Sequence, residues 1–315
     1  MMDNADGIWK DDPADVVAGK KMKRPKRKYR WGMLEVIGSV VILFAVQLAI
    51  SIVFIAFLVA EAVAKSTGGL DEQKIYDDLL ASVSSSGPLI FGTSVAMYSV
   101  WGLTMWYCTR FRGKKSWKRD FWLSFHRHDW WKGGLLAFGL LAVEYAIMFA
   151  LSALNVDTSG SNNAQVFLDM EGLWFYVLCI FMVPILGPIF EELFFRGFLL
   201  QGLIRWFRHG NNQGPKTAFG DWWLNNFAFV YNGFLDFRHW VYRHTYTLAI
   251  LISSALFGLM HFQGSNTVGS WLVVFLTGGI GLAFAIVTLR TRRLGIAIWG
   301  HMFFNGTTMA LALSM

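Results

Sequence analysis

Long apolar stretches separated by short polar segments run along most of the chain. From about residue 33 onward, each stretch approaches the roughly 20 residues that a helix needs to cross a bilayer. The pattern predicts spans at about 36–60, 88–108, 133–154, 173–205, 247–262, 271–289 and 294–313. We therefore predict an all-α fold, a polytopic transmembrane helix bundle with about seven or eight spans.

The fourth stretch, 173–205, is too long for one straight span. Pro184, Gly187 and Pro188 interrupt it, and each proline removes a backbone donor from a helix. We expect a broken helix near Gly187-Pro188, because irregular backbone is tolerated at membrane depth where it lines a protein cavity. This expected break is why the number of crossings stays open between seven and eight.

The composition agrees with a membrane protein. The chain is 55% hydrophobic and only 16% charged, whereas soluble domains carry about 25% charged residues. The net charge of +7 arises from residues 20–30, which contain eight Lys or Arg and no acid. A basic run directly before a span is typical of a cytoplasmic anchor near anionic lipids. We therefore predict a cytoplasmic N-terminus in a multi-pass protein of the lipid bilayer, and no nucleic-acid partner.

Three regions follow from this pattern. Residues 1–32 form a basic cytoplasmic tail, residues 33–170 supply N-terminal transmembrane helices, and residues 171–315 form a core. The core contains an aromatic-rich insertion at about 209–243, where Trp, Tyr and Phe alternate with Arg and His. Such an amphipathic composition suits a segment that lies at the headgroups.

Ionisable residues lie within the apolar stretches of the core. Glu191 and Glu192 are adjacent, and Arg196 follows four residues after the second glutamate. A charged side chain at the bilayer centre costs about 3 kcal/mol or more, so these residues indicate a buried site or a water-filled cavity. Since successive helical residues are about 100° apart, Arg196 shares a face with Glu192 and leaves Glu191 for another partner. Such a pair by itself is also compatible with a purely structural role.

Two histidines, His261 and His301, also lie in apolar stretches. Phe257 precedes His261 by four residues, so its ring lies on the same helical face. His301 and Asn305 are likewise four apart, and their imidazole and amide offer donors for a developing oxyanion. Straight spans would place Glu191 and His261 towards opposite sides of the bilayer, so their cooperation requires a bend at the break or in the loop at 264–269.

Three motifs in the core resemble the signature of a protease family. EELFFR, FGLMH and HMFFN follow one another at 191–196, 257–261 and 301–305. They are similar to the EExxxR, FxxxH and HxxxN patterns of the CPBP intramembrane proteases, which include CAAX prenyl endopeptidases and bacteriocin-immunity-type membrane proteins. The resemblance covers about residues 172–313. Each motif alone is weak, but three in succession within apolar segments are fairly specific.

The resemblance implies a catalytic role for six residues. Glu191 is expected to activate the hydrolytic water, with His261 helping to hold it. The other four are expected to act in pairs: His301 with Asn305 as stabilisers of the tetrahedral intermediate, and Glu192 with Arg196 as an orienting pair. The implied function is an integral-membrane endopeptidase that hydrolyses a peptide bond at or near the membrane surface. Its substrate is a peptide or a membrane protein, lipid-modified ones included.

Alternatives remain open at the level of the sequence. One Glu and two His form a plausible zinc set with an open position for water, but the chain has no HExxH. The enzyme is therefore either glutamate-dependent, which we favour, or metal-dependent. Beyond catalysis, a non-catalytic immunity or scaffold protein of the same family is one alternative. A proton-coupled transporter is the other, since buried Glu, His and Arg also build proton relays.

Overall fold

The structure is a computed structural model that describes residues 31–65, 87–158, 172–209, 240–262, 264 and 267–314. The predicted basic tail therefore lies almost wholly outside the described residues. The same holds for nearly all of the predicted aromatic-rich insertion.

The described residues form helices joined by short turns, and no β-strand occurs among them. We number the helices in chain order: α1 (Met33–Lys65), α2 (Gly87–Tyr107), α3 (Trp117–Phe121), α4 (Asp129–Ala153), α5 (Gly172–Arg208), α6 (Thr245–Leu259), α7 (Val268–Thr291) and α8 (Gly295–Ala312). The predicted all-α class is confirmed.

Five helices in the described part of the chain are long and apolar enough to cross a membrane: α1, α2 with its extension to Arg112, α4, α5 and α7. The chain is accordingly an integral membrane protein. Helix α6 is apolar but has only 15 residues. At a rise of about 1.5 Å per residue it covers about 22 Å, less than the roughly 30 Å of a hydrocarbon core. The number of crossings and the side of the N-terminus stay predictions.

Helix α5 is continuous where the sequence predicted a break. Gly187 keeps right-handed helical angles, φ −51° and ψ −60°. The irregularity takes another form, because the segments Tyr176–Leu186 and Leu193–Leu199 are wound as π-helix. In such wide turns each N–H reaches the carbonyl five residues back, as the Gly187 N–H does with Met182 O. The prolines thus change the winding of the helix without interrupting it.

One end of the bundle, which we call the basic end, collects cationic side chains on several helices. Its contacts are Arg112 with Glu35 at 2.7 Å, Arg293 with Asp129 at 3.1 Å, and Arg205 over the ring of Trp31 at 3.5 Å. These contacts bring together the start of α1, the far end of α2, the start of α4 and the end of α5. Helices α4 and α8 both start at this end and run in the same direction. A Cβ on Gly133 would lie 2.6 Å from the backbone nitrogen of Gly300, so only glycine permits this approach.

Helix α6 packs antiparallel to the second half of α5. Near the basic end, the Arg208 guanidinium lies 5.0 Å from the ring centroid of Tyr246. Further along, the Ser253 hydroxyl donates to Phe195 O at 3.0 Å. Because α6 starts at the basic end and is short, it ends part-way along the bundle, and the turn that follows it carries the half-buried His261. Glu191 and His261 are therefore not at opposite ends, as straight spans would have placed them.

Candidate active site

Arg196 and Glu192 form a buried ion pair one turn apart on α5. Arg196 Nη1 lies 2.8 Å from Glu192 Oε1, and the two side chains are 1% and 0% exposed. Charges removed from water to this degree need further compensation. Arg196 Nη2 donates to Gly281 O at 3.2 Å, and the guanidinium lies 4.2 Å from the ring centroid of Phe257. The structure thus forms the pair that the spacing predicted and ties it to α6 and α7.

The absence of a side chain at Gly281 allows the Arg196 guanidinium to pack against α7. A Cβ at this position would lie 2.9 Å from the ring of Phe257 and 3.1 Å from Arg196 Nη2. Any side chain here would push the arginine away from the carbonyl that it binds. The neighbouring Gly279 has no such restriction, because a Cβ there would meet nothing within 4 Å.

His301 on α8 is held by the same carboxylate. Its Nδ1 lies 3.0 Å from Glu192 Oε1, and since the carboxylate oxygen accepts, Nδ1 carries the hydrogen. Phe257 and Phe284 flank the imidazole at centroid distances of 5.7 and 5.6 Å. This arrangement fixes the ring and directs its other nitrogen, Nε2, to the side of Glu191.

Glu191 remains outside the ion pair. Its Oε2 lies 3.9 Å from His301 Nε2, which is too long for a direct hydrogen bond but leaves room for a shared water. Oε2 is buried and has no hydrogen-bond partner among the described residues. Buried polar atoms are nearly always paired, so an unpaired carboxylate oxygen indicates a site where a ligand or water is expected.

Asn305, one turn after His301, contacts the irregular part of α5. Its Nδ2 donates to Val183 O at 3.0 Å. In the π-wound segment the expected donor to Val183 O is the N–H of residue 188, and Pro188 has none. The Asn305 amide replaces this missing donor. Because the amide has two hydrogens on Nδ2, one remains for another acceptor.

His261 lies in the turn after α6 and is fixed by its own backbone. Its Nδ1 is 2.9 Å from Phe257 O, so Nδ1 donates and Nε2 is left as an acceptor. The ring centroid of Phe257 lies 5.0 Å from that of His261 and 5.7 Å from that of His301. Phe257 therefore contacts both imidazoles, and no direct contact joins His261 to Glu191 in the described structure.

The structure thus brings together the six predicted residues to different degrees. Three of them, Glu192, Arg196 and His301, are joined by direct contacts, and Glu191 lies 3.9 Å from His301. His261 joins this group through Phe257, and Asn305 joins it through the backbone of α5.

Tyr98 on α2 also lies beside Glu191, although no motif in the sequence points to it. Both its hydroxyl oxygen and Glu191 Oε1 lie beside Gly187, at 3.3 and 3.4 Å from the position that a Cβ would take there. The only signal in the sequence was a tyrosine within an apolar span, and the three motifs do not reach this helix.

The site does not form a zinc ligand set as it stands. No group of three His, Cys, Asp or Glu in the part of the chain that the structure describes could hold a metal ion. Nδ1 of each histidine is engaged, one with Phe257 O and the other with Glu192, which leaves Nε2 of each ring as the nitrogen that could ligate a metal. The zinc alternative of Glu191, His261 and His301 therefore stays a prediction.

Comparison with known proteins agrees with the motifs. Residues 173–307 match the family model described as Type II CAAX prenyl endopeptidase Rce1-like. No curated protein and no solved structure matches the chain. The matched segment contains all six predicted site residues and extends from α5 into α8. The resemblance to the CAAX prenyl endopeptidases is confirmed.

Proposed function

We propose that this chain, whose residues 173–307 match the Rce1-like model of type II CAAX prenyl endopeptidases, cleaves a peptide bond in the C-a-a-X tail of a prenylated protein. The observation that carries this proposal is the unpaired Oε2 of Glu191, which faces Nε2 of His301 across 3.9 Å. A prenylated tail is anchored in the bilayer by its lipid. Its scissile bond is therefore delivered to the depth at which a membrane-embedded site can act.

Glu191 is the general base in this proposal. A water between Glu191 Oε2 and His301 Nε2 donates one hydrogen to the carboxylate and accepts one from the imidazolium. Its second hydrogen points to Nε2 of His261, which is an acceptor because Nδ1 donates to Phe257 O. A general base must lie within hydrogen-bond reach of the proton that it removes, and Glu191 Oε2 meets this condition through such a water.

The bond changes balance without a further reactant. Glu191 takes a proton from the water, and the hydroxide oxygen bonds to the scissile carbonyl carbon, whose oxygen becomes an oxyanion. Glu191 then returns the proton to the leaving nitrogen as the C–N bond breaks. The products are a new C-terminal carboxyl group and a free amine.

His301 and Asn305 are the proposed oxyanion donors. In its protonated form His301 donates Nδ1–H to Glu192 and directs Nε2–H to the reaction centre. Asn305 donates one amide hydrogen to Val183 O, and its second amide hydrogen donates to the oxyanion. Fixed donors of this kind are most effective where bulk water is excluded.

Glu192 and Arg196 orient this arrangement in our proposal. Glu192 Oε1 binds both Arg196 Nη1 and His301 Nδ1. Arg196 compensates the charge of Glu192, and Glu192 in turn accepts from His301 Nδ1 and fixes the rotation of the ring. This division of work agrees with the deep burial of the pair, since neither side chain is accessible to a substrate.

Cleavage of a synthetic prenylated C-a-a-X peptide by purified protein in detergent tests the proposal. We expect Glu191→Gln to lower kcat at least about a hundredfold, the lower range for loss of a general base, and His261→Ala to reduce it strongly. The matched control is Glu144→Gln, which changes a second glutamate inside a span, on α4, and should cleave at the wild-type rate.

The same assay decides between catalysis and the two other functions. If Glu191→Gln cleaves at the wild-type rate, Glu191 is not the base and the mechanism is wrong. A folded wild-type protein that binds the peptide without cleaving it would favour the non-catalytic scaffold. Proton flux into proteoliposomes without cleavage would favour the transporter.

A further inference from the structure

Tyr98 brings a phenol from the N-terminal helices to the predicted catalytic glutamate. It lies on α2, outside the matched residues 173–307. A Cβ on Gly187 would stand 3.3 Å from the Tyr98 hydroxyl oxygen and 3.4 Å from Glu191 Oε1. The two oxygens therefore face the same small space, which exists because residue 187 has no side chain.

The phenol ring is held in place by stacking. Tyr98 and Phe190 lie nearly parallel, with centroids 4.8 Å apart and an interplanar angle of 10°. Phe190 directly precedes Glu191 on α5, so this contact fixes the phenol relative to the glutamate. Trp101, one turn further on α2, packs beside Tyr98 and is itself stacked on Phe194. Aromatic packing thus locks the two helices at the level of the site.

The two oxygens of the Glu191 carboxylate have different surroundings. Oε2 is buried without a partner and faces His301. Oε1 lies on the side of Gly187 and Tyr98. Among the described residues no hydrogen bond or ion pair joins Arg196 to either oxygen, and its Nη1 and Nη2 bond Glu192 and Gly281 instead. A donor on the Oε1 side would hold the carboxylate and leave Oε2 for the proton of the water.

We propose that Tyr98 is a positioning residue for Glu191: its hydroxyl donates a hydrogen bond to Oε1, directly or through one water, and fixes the carboxylate with Oε2 towards the reaction centre. This inference rests on the proposed function, since it requires Glu191 to be the base. It extends the active site to α2, which supplies none of the three motifs.

Tyr98→Phe tests the proposal, because it removes only the hydroxyl and keeps the ring stacked on Phe190. We expect kcat for the prenylated peptide to fall about tenfold, while KM changes less than about twofold, since Tyr98 does not touch the substrate. We also expect the acidic limb of the pH–rate profile to move to higher pH. A carboxylate that loses a donor is less favoured in its ionised form, and a purely structural role would not move this limb.

Tyr107→Phe is the matched control. Tyr107 ends the same helix and is 46% exposed, so its variant should keep the wild-type kcat and pH profile. Thermal unfolding of both variants in detergent should match that of the wild type, which separates loss of positioning from loss of fold. If Tyr98→Phe keeps the wild-type kcat and acidic limb, Tyr98 does not position the base.

Glu191→Gln in the same series separates the two proposals. An inactive Glu191→Gln with a fully active Tyr98→Phe overturns the role of Tyr98 and leaves the proposed function standing. A fully active Glu191→Gln overturns both, because there is then no base to position. The expected result is an inactive Glu191→Gln and a Tyr98→Phe that is slower and shifted in pH.

Discussion

His301 and Glu192 are 109 residues apart in the chain and are joined by one hydrogen bond of 3.0 Å inside the bundle. The same oxygen of Glu192 also accepts from Arg196 at 2.8 Å. One buried carboxylate oxygen therefore fixes both a guanidinium on its own helix and an imidazole on α8. The next glutamate back, Glu191, takes no part in this contact, so the two adjacent acids are expected to respond differently to mutation.

Glu192→Gln should destabilise the protein, whereas Glu191→Gln should not. Loss of the Glu192 charge leaves Arg196 buried without its counter-ion, and breaking a buried pair costs about 3–5 kcal/mol in free energy of unfolding. Glu191 is 19% exposed in its side chain and forms no close pair, so its variant should unfold like the wild type. Thermal and denaturant unfolding in detergent would measure both. Equal stability of the two variants would contradict the division of roles.

Asn305→Ala should cost stability as well as activity, because Val183 O loses its donor. An orphaned buried acceptor costs about 1–3 kcal/mol. The variant Pro188→Ala offers a direct check, since it restores a backbone N–H to the position that should serve Val183 O. We expect the double variant Pro188→Ala/Asn305→Ala to be more stable than Asn305→Ala alone. It should still cleave slowly, because the proposed oxyanion donor is missing. If the two substitutions instead lower stability additively, the missing N–H of Pro188 is not the reason why Val183 O needs the Asn305 amide.

Gly281→Ala should lower both stability and kcat, because the added methyl group meets Phe257 and Arg196 Nη2 at 2.9 and 3.1 Å. Forcing an extra carbon into a packed interior costs about 1–3 kcal/mol. Gly279→Ala on the same helix is the matched control, since its Cβ would have no neighbour within 4 Å. Unfolding temperature and peptide cleavage would be measured for both, and indistinguishable behaviour would contradict the tight fit around Arg196.

Activity should survive removal of metal ions, since we favour a glutamate-based mechanism. The measurement is peptide cleavage after exhaustive chelation, with metal analysis of the same sample. Retained activity in protein shown to be metal-free is the expected result. Loss of activity that returns on addition of zinc alone would instead establish the zinc-dependent alternative.

The sequence predicted the helical class and the pairing within α5, because these depend on local periodicity. Arg196 meets Glu192 since residues four apart share a helical face, and the same rule places His301 and Asn305 together against α5. The depth of His261 could not be predicted, since it depends on how far α6 extends before it turns. Tyr98 was missed because its approach to Glu191 depends on stacking between two helices, which leaves no spacing in the sequence. The predicted break at Gly187-Pro188 was wrong in form, since a proline can also be accommodated by wider winding.

Arg196 and its partners draw on four helices: α5 itself, Phe257 of α6, Gly281 of α7 and, through Glu192, His301 of α8. During synthesis these segments enter the bilayer in order, so the guanidinium and the two acids arrive well before the imidazole. A chain that has not yet delivered α8 holds an incomplete charge network and lacks both proposed oxyanion donors. Under the proposed function, we therefore expect peptide cleavage only after translation has passed residue 305, and we expect unfinished copies to be inactive.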